Sequence, residues 1–251
     1  LSSARISKSK CAVKSEPRRQ SESTSEVLFG ESVLVLEQNA EWTQIRTVSD
    51  GYEGYIESSA FALTDVASTH RVTTKATPLF EYPDIKGPVG LRLLFGSELS
   101  VSESDVEGKF LQLTGGGFVW NEHCRKKNIP LQSSMIEIAQ SNYWHTPYLW
   151  GGRSTDGCDC SGLVQMLAMA RGVNLPRDSI DQEKALSKNV EFENRSAEDL
   201  VFWPGHVGVL QSPEILLHAT AHFMRCCVEP LQDVIQRAGS PGSVKRINWQ
   251  R

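Results

Sequence analysis

Three residues could carry out nucleophilic chemistry together: Cys160 in Asp159-Cys160-Ser161-Gly162, His206 in Gly205-His206-Val207-Gly208, and His218 in Leu217-His218-Ala219. Only a thiolate attacks a carbonyl, and a free cysteine titrates near pH ~8.5, so Cys160 needs a base and a positive environment to react near neutrality. One imidazole supplies the base, and a second on its far nitrogen fixes the tautomer of the first. A buried cysteine is more often an inert small residue, and a histidine in a strand more often a satisfied core group. Three such residues in this order weigh against coincidence. Cys158-x-Cys160 with two later histidines also has the composition of a zinc site. Zinc pairs are usually spaced by two or more residues, however, and a nucleophile better explains the adjacent glycine turn and helix. Cys158 then reads as a small residue filling a tight approach to that helix.

Positioning these groups takes a helix and a pair of strands. Residues 161–171 are mostly apolar with few breakers and predict a buried helix ending at Gly172. Cys160 falls at its first turn, where unpaired N–H groups and the helix dipole favour a thiolate and could hold an oxyanion. His206 sits in the apolar, hairpin-like segment 200–210, where a polar ring has to find a partner. His218 sits similarly in 215–219. If the two segments pair, His206 can face Cys160 while His218 holds its far nitrogen. Upstream, Met135, Ile136, Ile138 and Ala139, continuing to Tyr143, have helical spacing, and Pro147 breaks the pattern before the turn Tyr148-Leu149-Trp150-Gly151-Gly152-Arg153.

The first half of the chain reads as short strands between turns. Residues 27–36, 42–46 and 54–56 set an order that residues 93–101, 110–113 and 117–119 repeat. This implies two barrels of about sixty residues each, small enough to be marginal alone. The expected boundaries are a tail over residues 1–10, a first barrel over 11–64, a linker over 65–69, a second barrel over 70–126 and a catalytic domain over 127–251.

With 251 residues, 39% hydrophobic and 22% charged, the composition is that of an ordinary globular chain with room for several domains. A net charge of -4 argues against a nucleic-acid partner. No stretch approaches a membrane span, and the first ten residues have no signal-peptide core. The six cysteines have no framework spacing, which favours a reducing, cytoplasmic location; a periplasmic or secreted one follows if a leader preceded Leu1.

Tyr148, Trp150, Gly151, Gly152, Asp159, Cys160, Ser161, Gly162, His206, Val207 and Gly208 carry a resemblance, over Pro147 to about Leu210, to the NlpC-type family of bacterial cell-wall cysteine peptidases. The resemblance implies that Cys160 is the nucleophile, His206 the base and His218 the orienting residue, with Tyr148 lining the site and no metal or organic cofactor required. The two barrels resemble bacterial SH3-like domains. The expected fold is therefore multi-domain: two small all-β SH3-like barrels followed by an α+β papain-like cysteine peptidase domain.

Family members with this layout imply a murein-peptide substrate. They cleave the bond from γ-D-glutamate to meso-diaminopimelate or L-Lys in peptides with a free N-terminal L-Ala, the first barrel closing one end of the groove, and a cytoplasmic enzyme of this kind serves peptidoglycan recycling. An amine pocket needs carboxylates and hydrogen-bond acceptors. The candidates are Asp159, Asp178 and Ser161, with Tyr52 and Glu22 from the first barrel. Against these stand an N-cap role for Asp178 and a solvated surface charge for Glu22. Two other functions stay open: a papain-like acyltransferase, and a non-catalytic module that binds cell-wall peptide.

Overall fold

The structure, a computed structural model, describes residues 2–104 and 108–249. The chain divides into two compact units, Leu1–Ile129 and Pro130–Arg251.

The first unit opens with β1 (Ser2–Ile6), β2 (Lys10–Lys14), β3 (Ser23–Leu28), β4 (Ser32–Gln38), β5 (Trp42–Thr47), β6 (Glu53–Glu57) and β7 (Phe61–Leu63). Among the described residues these form one sheet in the order β3-β2-β6-β5-β4-β1-β7. Residues 2–6 are therefore no tail. Ala4 and Ile6 alternate with Arg5 and turn into the core, and β1 pairs antiparallel with both β4 and β7. Two inward side chains are too short a period-2 signal to stand out in a serine- and lysine-rich segment. Val13, Val27, Val33, Ile45 and Ile56 complete this core.

The second half of the unit comprises β8 (His70–Val72), β9 (Ala76–Phe80), β10 (Val89–Leu94), β11 (Glu98–Leu99), β12 (Val101–Ser104), β13 (Phe110–Leu113), β14 (Phe118–Trp120) and β15 (Cys124–Lys126). They form a five-stranded and a three-stranded sheet around Val72, Leu93, Leu99, Leu111 and Val119. Glu98 joins the two halves. Its carboxylate accepts from Lys127 at 2.6 Å, Ser68 at 2.7 Å and Arg71 at 3.1 Å, and lies 3.6 Å from Arg5. Its N–H donates to the Phe29 carbonyl at 2.8 Å.

The second unit contains α1 (Met135–Asn142), β16 (Arg153–Ser154), β17 (Gly157–Cys158), α2 (Cys160–Ala170), α3 (Ser179–Ala185), β18 (Leu200–Trp203), β19 (His206–Ser212), β20 (Ile215–Thr220), β21 (Arg225–Pro230), α4 (Leu231–Ala238) and β22 (Ser243–Lys245). An antiparallel sheet in the order β21-β20-β19-β18-β22 carries α2 against β19 and β20. The apolar run from Cys160 to Ala170 is buried almost all round, which is why α2 reads as continuously hydrophobic. Glu198 ties the helices to the sheet. Its carboxylate accepts from the Met135 N–H that opens α1, at 2.6 Å, and from Arg171 just beyond α2, at 2.7 Å. No helix among the described residues is long and apolar enough to cross a membrane.

Candidate active site

Asp159 caps α2: its Oδ1 accepts the Gly162 N–H at 2.7 Å, satisfying one of the orphan donors of the first turn. Cys160 is therefore the first helical residue. Its thiol lies 4.0 Å from the Gly205 carbonyl and beside the N–H groups of Val207 and Ser161. Both contacts from the sheet come from residues flanking His206, so the hairpin β18–β19 brings its tip to the start of α2. That tip is Pro204-Gly205, with Trp203 opposite His206 and Gly205 at φ +75°. Proline followed by a residue at positive φ suits a tight two-residue turn and sets His206 at the first position of β19.

β19 and β20 pair as the sequence reading required, Val209 opposite Leu217. This register makes His206 and His218 diagonal neighbours on one face of the sheet. His206 Nε2 and His218 Nδ1 are 2.8 Å apart, and His218 Nε2 lies 2.8 Å from Glu229 Oε1. Arg237, in the last turn of α4, donates to the same Glu229 oxygen at 2.6 Å. The zinc alternative loses a ligand here, because both ring nitrogens of His218 are engaged within the protein. Among the described residues there is no group of three or more His, Cys, Asp or Glu able to hold a metal ion.

Burial governs the charges. It pushes the Cys160 thiol up to about 11, with the Asp159 charge adding to the rise and the Val207 and Ser161 N–H groups and Arg177 opposing it. Burial, and then His218, push His206 down to about 4. His218 is likewise lowered, burial outweighing Glu229. For Glu229, burial raises the pKa, but the hydrogen bonds and charges of Arg237 and His218 win and hold it below the ordinary carboxylate value. These shifts favour the neutral thiol and the neutral imidazoles.

The structure brings some predicted substrate residues to this centre. Tyr148 is half-buried and bridges to Cys158, two residues before the thiol, its hydroxyl pushed up to about 12 by burial and then by the charges of Cys160 and Asp159. Asp159 and Ser161 are also there but are engaged internally. Arg177 donates to both Asp159 oxygens at 3.0 and 2.6 Å and to Ser161 Oγ at 2.9 Å, and the Gly151 N–H donates to Asp159 Oδ2 at 2.9 Å. A carboxylate so occupied serves as a brace between the glycine turn and α2, and an amine-binding role does not suit it. Asp178 stands at the N-cap position of α3 without a side-chain capping bond and is exposed. Glu22 and Tyr52 belong to the first unit. Glu22 is exposed and its carbonyl accepts the Ser15 N–H, while Tyr52 packs half-buried against the core there, its N–H bonded to Thr47 Oγ1.

Sequence reasoning missed Glu229, Arg237 and Arg177. The first had a signal: an acid at an inward position of the apolar strand 225–230, facing the same way as Cys227. Arg177, whose side chain is 1% exposed, had none beyond its place after Leu175-Pro176.

A thiol at the head of a buried helix, met by a histidine relay on an antiparallel sheet, is the equipment of a cysteine peptidase. Residues 145–236 match the family described as NlpC/P60, and residues 14–61 match a bacterial dipeptidyl-peptidase Sh3 domain. The sequence is 30% identical over 214 residues to the γ-D-glutamyl-L-lysine dipeptidyl-peptidase of Bacillus subtilis (strain 168), covering 78% of this chain and 71% of that one. It is 28% identical over 232 residues to dipeptidyl-peptidase 6 of Lysinibacillus sphaericus, covering 82% and 83%. The fold matches that of an NlpC/P60 family protein from Bacillus cereus ATCC 10987 with a TM-score of 0.83 at 18% identity, over 98% of this chain and 99% of that one. The chain belongs to the NlpC/P60 family, with a bacterial SH3 domain ahead of its peptidase domain.

Proposed function

We propose that the protein hydrolyses the bond from γ-D-glutamate to the following diamino acid, meso-diaminopimelate or L-Lys, in murein peptides with a free N-terminal L-Ala. The observation that carries the reading is that the Cys160 thiol lies 4.0 Å from the carbonyl of Gly205, the residue before His206, while His206 Nε2 lies 2.8 Å from His218 Nδ1. Support for the bond comes from relatives whose names specify γ-D-glutamyl-L-lysine dipeptidyl-peptidases. Cys160 gives its proton to His206 as sulfur attacks the γ-carbonyl carbon. Of the first-turn amides, that of Gly162 is spent on Asp159 Oδ1 and that of Leu163 on the Asp159 carbonyl, which leaves the Cys160 N–H and the Ser161 N–H beside the thiol as donors for the oxyanion. His206 then protonates the leaving amine, and water, deprotonated by His206, opens the thioester. Asp178, exposed on the loop before α3, is the carboxylate proposed to meet the substrate amine. All six cysteines are free thiols, which supports a reducing compartment and a role in recycling.

The test is mass-spectrometric product analysis with L-Ala-γ-D-Glu-meso-diaminopimelate, its L-Lys analogue and their N-acetylated forms, using wild type and Cys160→Ala. L-Ala-D-Glu should appear from the free peptides only, and only with wild type. Transfer of the acyl group to an added amine in preference to water would favour an acyltransferase, and binding without turnover would favour the non-catalytic module.

A further inference from the structure

We propose that Glu229, braced by Arg237, is a positioning residue that selects the ring tautomers of His218 and His206 and so leaves the base nitrogen of His206 free. The proposal rests on the reading of Cys160 and His206 as nucleophile and base.

The register puts Glu229 where it can act. His218 lies opposite Cys227 on β21, and Glu229 is two residues further along, on the same face and diagonal to the ring. Both side chains are nearly sealed from solvent, at 1% and 7% exposure. An ionised carboxylate only accepts hydrogen bonds. Across 2.8 Å, Glu229 Oε1 therefore requires the proton of His218 on Nε2. A neutral His218 then has only a lone pair on Nδ1, so the 2.8 Å bond to His206 must be donated by His206 Nε2–H. That in turn leaves His206 Nδ1 unprotonated and able to take the thiol proton.

The parity of this chain is set at its far end. If Glu229 were replaced by a donor, His218 Nε2 would accept, Nδ1 would donate, and the His206 proton would move to Nδ1, where the ring is no base. Arg237 keeps the far end in its acceptor form with its 2.6 Å bond, and its guanidinium also lies over the Phe223 ring, 5.9 Å from the centroid. The other titratable and charged groups facing this end are His206 on β19 and Cys227 and Arg225 on β21. Once His206 takes up a proton, the negative charge two bonds away stabilises the imidazolium. One negative group thus serves both the resting tautomer and the charged intermediate.

The experiment is long-range 1H–15N correlation spectroscopy of the histidine rings at neutral pH in wild type, Glu229→Gln, Glu229→Leu and Arg237→Gln, alongside kcat, KM and the rate of Cys160 alkylation by iodoacetamide. Both rings should be neutral with the proton on Nε2 in wild type. Glu229→Leu should show mixed tautomers and lose at least about tenfold in kcat with KM nearly unchanged, as expected when an orienting group is removed. Glu229→Gln, which keeps an acceptor oxygen, should recover part of that loss. Arg237→Gln should move the acid limb of the alkylation profile. An Nδ1 proton on either wild-type ring overturns the proposal, as does a folded Glu229→Leu with unchanged tautomers. If Glu229→Leu does not fold, the wild-type and Gln spectra still decide. Tautomers and alkylation need no peptide, so failure of the substrate reading would show separately as intact relay spectra without turnover.

Discussion

Burial decides the protonation of the Cys160–His206 pair. A histidine lowered to about 4 stays a competent base well below the ordinary value near ~6.5. The acid limb of kcat/KM should therefore fall between those two values, and a limb at 6.5 or above would refute the assignment. Stability follows the same sign. The unfolded chain protonates His206 first, so the contribution of the buried neutral ring is complete above pH ~6.5 and is lost as pH falls towards about 4. Urea midpoints measured across that window should decline for wild type, and less so for His206→Gln. A second residue-scale prediction concerns Arg177. Replacing it with Met strands the buried Asp159 carboxylate and should cost about 3–5 kcal/mol, read as a fall in the denaturant midpoint. Cys160, His206 and His218, proposed as nucleophile, base and orienting residue, were legible as candidates in the sequence because each stands in its own short motif. Arg177, Glu229 and Arg237 were not, since nothing local says that a charged side chain will be turned inwards by partners 18 and 8 residues away.

Elements were legible where their local chemistry was strong. The hairpin over residues 200–210, the run after Cys160 and the helix from Met135 emerged much as expected, and Ser134-x-x-Glu137 forms a full capping box at the start of α1. β1 was lost because pairing on both sides, rather than its own composition, makes it a strand. The glycine turn shows how tightly elements are set here. A Cβ on Gly162 would stand 2.3 Å from the Gly152 carbonyl oxygen, so the turn seats directly on the first turn of α2. Gly162→Ala should push the turn off the helix, lowering stability by about 1–3 kcal/mol and cutting turnover more than it changes substrate KM. Thermal melts and steady-state kinetics on one preparation test both effects.

For the molecule as a whole, the two units differ in what holds them together. The peptidase unit is organised by a sheet and a buried helix, whereas the halves of the first unit share one carboxylate. Burial raises the pKa of Glu98, but Lys127, Arg71 and Ser68 overcome it and leave the group below its ordinary value. Its contribution is therefore present above the unfolded carboxylate pKa and lost as pH falls through the lower folded one. Glu98→Gln would leave Arg5, Arg71 and Lys127 without their counter-charge and should cost about 3 kcal/mol. Hydrogen exchange should then accelerate over β1–β7 and β8–β15 alike, and acceleration confined to β11 would refute the coupling. Sequence reasoning placed a linker at residues 65–69 between two barrels each marginal alone, and a lone acid in the short strand β11 gives no sign that cations from both sides will gather on it. A recombination event that exchanged only the first sixty residues would replace Arg5 and the Phe29 carbonyl, the groups of the first half that meet Glu98. The piece that can be moved between proteins, or trimmed at the bench, is the pair up to Lys127 taken as a single cassette.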